Sequence, residues 1–193
     1  MTFKPIPRLG AVVLGACMLT ASVSASAQPV AYTRVLPGAA VTFSATQMGV
    51  PMHGRFKTVA AQVDFEPGDL VKSHLSVSVQ VASVDAGSAQ TNALLTGADW
   101  LAAKVDPQAR FVSSGFTADG PGRYWLSGTL SIKGHSQPLK VLVTTHPAGS
   151  ALAMDASFTL NRSSFALGAG SWSDTSVVAA AIPVAVHLTV APQ

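Results

Sequence analysis

The sequence has a single cysteine, little charge and few aromatic residues, and these shortages exclude several classes of protein. Cys17 is the only cysteine among 193 residues, so the chain cannot form an internal disulfide. Charged residues make up 11% of the chain, and its net charge of +3 comes without the basic clusters that nucleic-acid binding requires. We therefore expect no nucleic-acid partner.

Patterns that would indicate catalysis are also missing from the sequence. No Gly-x-Ser-x-Gly motif occurs, and the nine acidic residues lie mostly in turn-like stretches. The histidines are scattered, and no two of them have the spacing of metal ligands: His53, His74, His135, His146 and His187. We expect no enzymatic activity, no metal and no cofactor.

The N-terminal stretch has the pattern of a secretory signal. Lys4 and Arg8 form a basic start, and residues 9–19 are uncharged and mostly apolar. Ser24-Ala25-Ser26-Ala27 then provides an Ala-x-Ala cleavage site. This pattern predicts a signal peptide over residues 1–27, cleavage near Ala27, and a periplasmic or secreted protein.

Two other interpretations of this leader stay open. Leu14-Gly15-Ala16-Cys17 is similar to a lipobox, which would leave a lipidated Cys17 at the mature N-terminus. An uncleaved anchor is disfavoured because the apolar run is shorter than the roughly 20 residues that span a bilayer. We expect residues 28–193 to form one domain without a transmembrane span; a homodimer is left open.

Alternating apolar and polar residues dominate the rest of the chain, and this period-two pattern is typical of half-buried strands. A clear example is residues 123–145, where two alternating arms flank the turn Lys133-Gly134-His135-Ser136, and Pro138 suits the first position of the second strand. About eight strands are predicted: residues 39–47, 54–65, 74–84, 109–118, 123–132, 138–145, 152–161 and 177–190. This pattern favours an all-β antiparallel sandwich or barrel.

One stretch departs from the alternation. In residues 88–104 the apolar side chains recur at three- and four-residue spacing, so we predict a short helical segment there. Gly97 is expected to break this segment into short pieces.

A set of short motifs, in this order and spacing, resembles the YceI-like family of secreted bacterial proteins. The motifs cover nearly the whole predicted mature chain: Gly54-Arg55-Phe56, Val63-Asp64-Phe65-Glu66-Pro67, Val81-Ala82-Ser83-Val84-Asp85-Ala86-Gly87, Leu94-Leu95, Asp99-Trp100-Leu101, Pro107-Gln108-Ala109-Arg110-Phe111, Gly128-Thr129-Leu130-Ser131-Ile132-Lys133-Gly134 and Asn161-Arg162-Ser163-Ser164-Phe165-Ala166-Leu167-Gly168. The resemblance implies an eight-stranded antiparallel lipocalin-like barrel that holds a long apolar molecule.

The chain departs from the family pattern at three places. Gln90-Thr91-Asn92 stands where the family often has an Arg-Asp pair, Ser164-Phe165-Ala166 where it often has Asp-Phe-Gly, and Gly134-His135-Ser136 where it often has Gly-Val-Thr. These differences concern the polar contacts to a ligand head group more than the fold.

The ligand class linked to the family is the polyisoprenoids, including quinone tails, and other amphiphilic lipids are plausible. One isoprene unit is worth roughly 3 kcal/mol when buried, whereas association costs about 4–15 kcal/mol, so a long chain is favoured over a small metabolite. The predicted ligand-binding residues are Phe43, Phe56, Val77, Val79, Val81, Trp100, Phe111, Leu126, Leu130, Val141, Val143, Phe158, Leu160, Arg162 and Phe165.

Each of these residues also has a purely structural interpretation. An eight-stranded barrel can be filled by its own side chains, and then the apolar residues only form a core. Arg162, which would cap the polar end of a ligand, could instead organise the long connection that follows it, and Arg55 has the same ambiguity. The alternatives to a lipid carrier are therefore a filled structural or interaction barrel, or an enzyme acting on a bound lipid.

Overall fold

A computed structural model describes residues 1–2 and 30–193; residues 3–29, with Cys17 and nearly all of the predicted leader, lie outside this description. The described chain is mostly β-structure with one α-helix, as predicted. Its elements are β1 Tyr32–Val35, β2 Ala40–Gln47, β3 Val50–Phe56, β4 Val59–Asp64, β5 His74–Gln80, β6 Val84–Asp85, α1 Ala89–Thr96, β7 Gln108–Gly120, β8 Arg123–Ile132, β9 His135–Ala148, β10 Ala151–Asn161 and β11 Ala181–Pro192.

The strands form one antiparallel sheet in the order β4-β5-β7-β8-β9-β10-β11-β2-β3-β6, and β1 pairs with β11. β4 is the first strand of this order and β3 is the last but one. Only Lys57 and Thr58 separate these two strands in the chain, so the two edges of the sheet lie close together. Tyr32 in β1 also exchanges two backbone hydrogen bonds with Phe65, of 2.8 and 3.0 Å. The sheet thereby curls into the predicted barrel.

The described residues form eleven strands where the sequence predicts eight. The predicted strand 54–65 is divided into β3 and β4, because β3 pairs with β2 whereas β4 pairs with β5. The short strands β1 and β6 were not predicted, since four and two residues are too few to show an alternation.

The hairpin β8–β9 turns within two residues. Lys133 and Gly134 both have positive φ, 50° and 74°, as the type I′ turn of a two-residue hairpin requires. Pro138 is inside β9, opposite Thr129, so its predicted place at the start of the strand is wrong. It is tolerated there because β9 pairs with β10 only from Val143 onwards, and no neighbouring strand needs its missing amide hydrogen.

The helical prediction for residues 88–104 is confirmed in its first half. Ser88 caps α1 by accepting a hydrogen bond from the Thr91 amide (3.0 Å), and Gly97 ends the helix by donating to the Leu94 carbonyl. Turns replace the helix after Gly97. Within the described residues, no helix has the length and apolarity to cross a membrane.

Two apolar clusters occupy the interior. We call the first the filled end; its buried members are Val63, Phe65, Leu75, Phe116, Leu126, Val141, Val143, Met154, Leu188 and Val190. We call the second the lid end; its buried members are Trp100, Ile132, Leu160, Phe165, Leu167, Val178 and Ile182. Most of the filled end belongs to strands, whereas four of the seven lid-end residues lie on loops.

Candidate functional site

A cavity of about 290 Å³ lies inside the barrel, between the filled end and the lid end. Its wall is almost wholly apolar, because alternate residues of the strands point inward and these are mostly Val, Leu, Ile and Phe. The volume is at the lower limit of ligand pockets, which measure about 300–1,000 Å³. The interior is thus not completely filled by its own side chains.

Thirteen of the fifteen predicted ligand-binding residues line this cavity. They are Phe43, Phe56, Val77, Val79, Trp100, Phe111, Leu126, Leu130, Val141, Val143, Phe158, Leu160 and Arg162. The structure therefore brings them to one site from strands β2, β3, β5, β7, β8, β9 and β10 and from two loops. Their contact with a ligand stays a prediction.

The other two predicted residues, Val81 and Phe165, are buried away from the cavity wall. Val81 continues the alternation of β5, but β5 ends at Gln80 and the Val81 amide bonds to the Pro107 carbonyl (3.0 Å) in a 3₁₀ turn. Phe165 packs within the lid end, from a 3₁₀ turn over Arg162–Phe165. In both cases a change of backbone conformation redirects the side chain.

Several lining residues were not predicted. Those on β11 could have been found, since Ile182, Val184, Val186 and Leu188 alternate strictly with other residues. Those on α1 and the lid loop, including Leu95, Leu167 and Trp172, follow no periodic pattern. Their position is set by the tertiary fold.

Two glycines shape the wall by allowing aromatic rings to lie against the sheet. A methyl group at Gly54 would overlap the ring of Phe43, and one at Gly128 would overlap the ring of Phe111 and the Val112 carbonyl. Both glycines belong to the family-like motifs of the sequence. They keep these rings back against the wall and so leave the cavity open.

The cavity reaches the surface on one side. Among its lining residues, His53 on β3 and Leu94 on α1 are solvent-exposed. Nearby, Arg55 and Lys57 lie 3.5 and 3.3 Å from the Asp85 carboxylate, and the hydrogen bond from Lys57 lowers the pKa of Asp85. Arg55 is therefore engaged in a surface ion pair, which is the structural interpretation of this residue.

Arg162 organises the lid loop, residues 162–178. The residue is 1% exposed, and its guanidinium donates to five carbonyl groups of the loop, with the shortest bonds to Trp172 (2.8 Å) and Leu167 (2.9 Å). The other acceptors are the carbonyls of Gly168, Val178 and Asp174. Every guanidinium nitrogen is thus committed to the loop, so the structural role of Arg162 explains all its hydrogen bonds.

Trp100 lies beside this guanidinium, on the turn that follows α1. Its ring centroid is 5.7 Å from the Arg162 Cζ and 6.0 Å from the ring centroid of Trp172. The Asp99 carbonyl accepts hydrogen bonds from the amides of Gly168 and Ala169, at 2.8 and 2.9 Å. These contacts join the turn after α1 to the lid loop above the cavity.

A half-exposed polar pair joins β11 to β10, and its Asp155 is also among the residues that border the cavity. His187 Nδ1 lies 2.7 Å from Asp155 Oδ1 across β11 and β10, and both side chains are about half exposed. The sequence did not predict this pair, which depends on strand register. Among the described residues, no group of three or more His, Cys, Asp or Glu could hold a metal ion.

Comparison with known proteins places residues 32–190 within a family model described as the YceI-like domain. BcnA of Burkholderia cenocepacia is 37% identical, with a TM-score of 0.76 over 78% of this chain and 95% of that protein. A polyisoprenoid binding domain from Saccharophagus degradans, implicated in plant cell wall breakdown, has a TM-score of 0.65 at 12% identity, covering 86% of this chain and all of that domain. At that identity, the second likeness shows that the two chains share a fold.

Curated relatives carry the name UPF0312 protein. The one from Shewanella denitrificans is 29% identical over 112 residues, and the match spans 58% of each chain. The one from Azotobacter vinelandii is 27% identical over 134 residues, spanning 69% of each chain. These similarities agree with the family resemblance inferred from the motifs.

Proposed function

Because the chain belongs to the YceI-like family, we propose that it is a binding protein that holds a long isoprenoid-like lipid in its barrel. The observation that carries this proposal is the apolar cavity of about 290 Å³ between the two clusters. The proposal is also supported by the description of the Saccharophagus degradans domain as polyisoprenoid binding.

The size of the cavity limits how much of a ligand it can enclose. A cavity of about 150 Å³ binds one benzene, so about 290 Å³ accommodates on the order of ten carbons, or two isoprene units. Two units contribute roughly 6 kcal/mol, which is at the lower limit of the cost of association. A tightly bound ligand therefore extends through the opening beside His53 and Leu94 or displaces part of the lid.

The cavity also supports the proposed carrier over a barrel that is purely structural. A filled barrel would have side chains in this space, since protein interiors are normally packed to crystal-like density. An enzyme acting on the bound lipid would need a polar reactive group at the wall. Arg162, the buried charged residue of the wall, is committed to loop carbonyls, and the other titratable wall residues, His53, Arg110 and Asp155, are accessible to solvent, so binding without turnover is the function we favour.

The first test is to extract the purified protein with organic solvent and to identify the extract by mass spectrometry. We expect an amphiphile with a long apolar chain, and uptake of a hydrophobic fluorophore once it has been removed. Absence of both would contradict the proposal.

A matched pair of variants connects binding to the cavity. Ala45 lines the cavity, whereas the next residue of β2, Thr46, is exposed on the other face. Ala45→Phe should fill part of the space and weaken fluorophore binding at least tenfold, while Thr46→Phe should bind as the unmodified protein does. Equal binding by the two variants would place the ligand elsewhere.

We further propose that residues 1–27 export the protein to the periplasm or the medium. Their basic start, apolar run and Ala-x-Ala site support this proposal. Mass spectrometry of protein from the periplasm of a bacterial host should show Gln28 as the first residue. A lipid-modified Cys17 at the N-terminus would establish the lipoprotein alternative, and an intact leader would contradict both.

A further inference from the structure

The indole nitrogen of Trp100 is a buried hydrogen-bond donor that has no acceptor within the described residues. The side chain is 8% exposed and lines the cavity. A buried tryptophan N–H normally has a partner, because an unpaired donor loses its bond to water without replacement. Trp125 shows the usual arrangement, since its Nε1 donates to Asp119 Oδ1 at 3.0 Å.

The surroundings hold this donor in place. The guanidinium of Arg162 lies over the indole ring, the ring of Trp172 lies beside it, and a side chain at Gly168 would come within 3.1 Å of its outer edge. The indole therefore cannot easily rotate to find another acceptor.

The charge of Arg162 determines which kind of group suits the position. A cation over the ring favours an electron-rich acceptor at the N–H, and oxygen is the usual one. The donors of Arg162 itself all bond to carbonyls, so its guanidinium has no N–H left for a direct hydrogen bond to an anionic head group. A neutral oxygen, as in a hydroxyl, ether or carbonyl group, fits better than a carboxylate or phosphate.

Building on the proposed lipid binding, we infer that Trp100 Nε1 donates a hydrogen bond to a neutral oxygen of the bound lipid. The oxygenated end of the ligand then lies beneath the lid loop, and its hydrocarbon chain fills the rest of the cavity and continues through the opening beside His53 and Leu94. The preferred ligands are oxygen-bearing isoprenoids rather than pure hydrocarbons.

Three tryptophan side chains make this inference directly measurable. In protein labelled with ¹⁵N, the indole N–H signals of Trp100, Trp125 and Trp172 can be assigned and followed during titration with farnesol, farnesyl methyl ether and the hydrocarbon β-farnesene. We expect both oxygenated probes to shift the Trp100 N–H downfield, β-farnesene to leave it without that shift, and Trp125 to be unaffected by all three.

Affinities should follow the same division. Farnesol and its methyl ether should bind about tenfold more tightly than β-farnesene, because each satisfies the unpaired donor. Trp100→Phe keeps an aromatic ring but removes the N–H, and it should abolish this preference. Trp125→Phe, which removes an N–H on the outer surface, is the matched control and should retain it.

The outcomes separate this inference from the proposed function. If all three probes bind equally well and none shifts the Trp100 N–H downfield, the inference is wrong and lipid binding stands. If no probe binds, both are contradicted. The titration of the unmodified protein decides between these outcomes even if Trp100→Phe does not fold.

Discussion

The two ends of the barrel interior are closed by different means. At the filled end, Phe65 is completely buried and packs against Phe116 and Tyr124, with ring centroids 5.3 and 5.0 Å away. At the lid end, a loop crosses the barrel and is held by the hydrogen bonds of a single guanidinium, that of Arg162. Close packing of rings leaves no space, whereas a loop that spans the opening leaves a cavity beneath it.

This difference separates stability from binding within one fold. Residues of the filled end contribute mainly through apolar burial, which depends on tight packing. At the lid end, Arg162 contributes through oriented hydrogen bonds to the loop, which position the loop without filling the volume beneath it. We therefore expect substitutions at the two ends to have separable effects.

The largest effect on stability is expected at the filled end. Phe65→Ala removes a fully buried ring from between two others and should lower the free energy of unfolding by about 3–5 kcal/mol, measured by urea denaturation. Phe43→Ala is the control, because this ring borders an existing cavity and is only partly buried. Equal losses in the two variants would mean that the cavity is absent in solution.

A smaller, local effect is expected at the lid end. Arg162→Lys keeps the positive charge but leaves several loop carbonyls without a donor. Because hydrogen bonds to charged groups are worth about 1.5–3 kcal/mol each, we expect the free energy of unfolding to fall by about 2–3 kcal/mol. Hydrogen exchange should accelerate at the amides of Leu167, Gly168 and Ala169, which bond across the lid. Amides of the filled end, such as Phe65, should keep their protection. Uniform acceleration would show that the two ends unfold as one unit.

Substitutions of the wall glycines should lower the free energy of unfolding by no more than Arg162→Lys does, and by different amounts at the two positions. In Gly54→Ala the new methyl group overlaps only the ring of Phe43, and this ring can move into the cavity. We therefore expect the free energy of unfolding to fall by about 1 kcal/mol and ligand binding to weaken. In Gly128→Ala the methyl group overlaps the ring of Phe111 and also the Val112 carbonyl, which cannot move unless its strand moves. The free energy of unfolding should therefore fall by about 2–3 kcal/mol. Calorimetry of both variants tests this order, and the reverse order would contradict the geometry.

The smallest effects concern two surface carboxylates, one on the lid loop and one in the turn before β5. The pKa of Asp174 is lowered by hydrogen bonds from the amide and hydroxyl of Ser176, and that of Asp69 by its hydrogen bond with Lys72. Because both values are lowered in the folded state, each contribution is fully present above the ordinary value of 3.8 and is lost as the pH falls through the lower folded value.

Salt should distinguish these two carboxylates. Asp69→Ala removes an exposed ion pair, so its small effect at pH 6 should shrink at high salt. Asp174→Ala removes hydrogen bonds from neutral donors, so its effect should persist. Thermal denaturation of both variants at pH 6 and pH 2.5, in low and high salt, is the measurement. An effect of either variant that does not decrease between pH 6 and pH 2.5 would show that it does not arise from the carboxylate charge.

Much of the barrel could be predicted because strand alternation is a local signal. Leu126, Leu130 and Val141 were assigned to the interior from their parity alone, and all three line the cavity. The same rule failed at Val81, since β5 ends one residue earlier and the chain enters a 3₁₀ turn. Alternation identifies an inward face only as long as the strand continues.

The lid could not be predicted in the same way. Ala166, Gly168 and Gly170 have positive φ, so the loop follows no regular period, and its order depends on contacts with Arg162 and Asp99. Nothing in the local sequence indicates that one arginine would bond to five carbonyls. Likewise, the unpaired state of the Trp100 N–H follows from where other groups lie.

Period-two patterning in the amino-acid order was sufficient to establish an all-β chain with inward apolar faces, because each residue's side of a strand depends only on its neighbours. Whether those faces meet completely or leave a space depends on sheet curvature, on rings resting over Gly54 and Gly128, and on a lid held by Arg162. These contacts join residues that are distant in sequence. The cavity and the unpaired N–H of Trp100 beside it therefore follow from the tertiary structure and not from the local sequence.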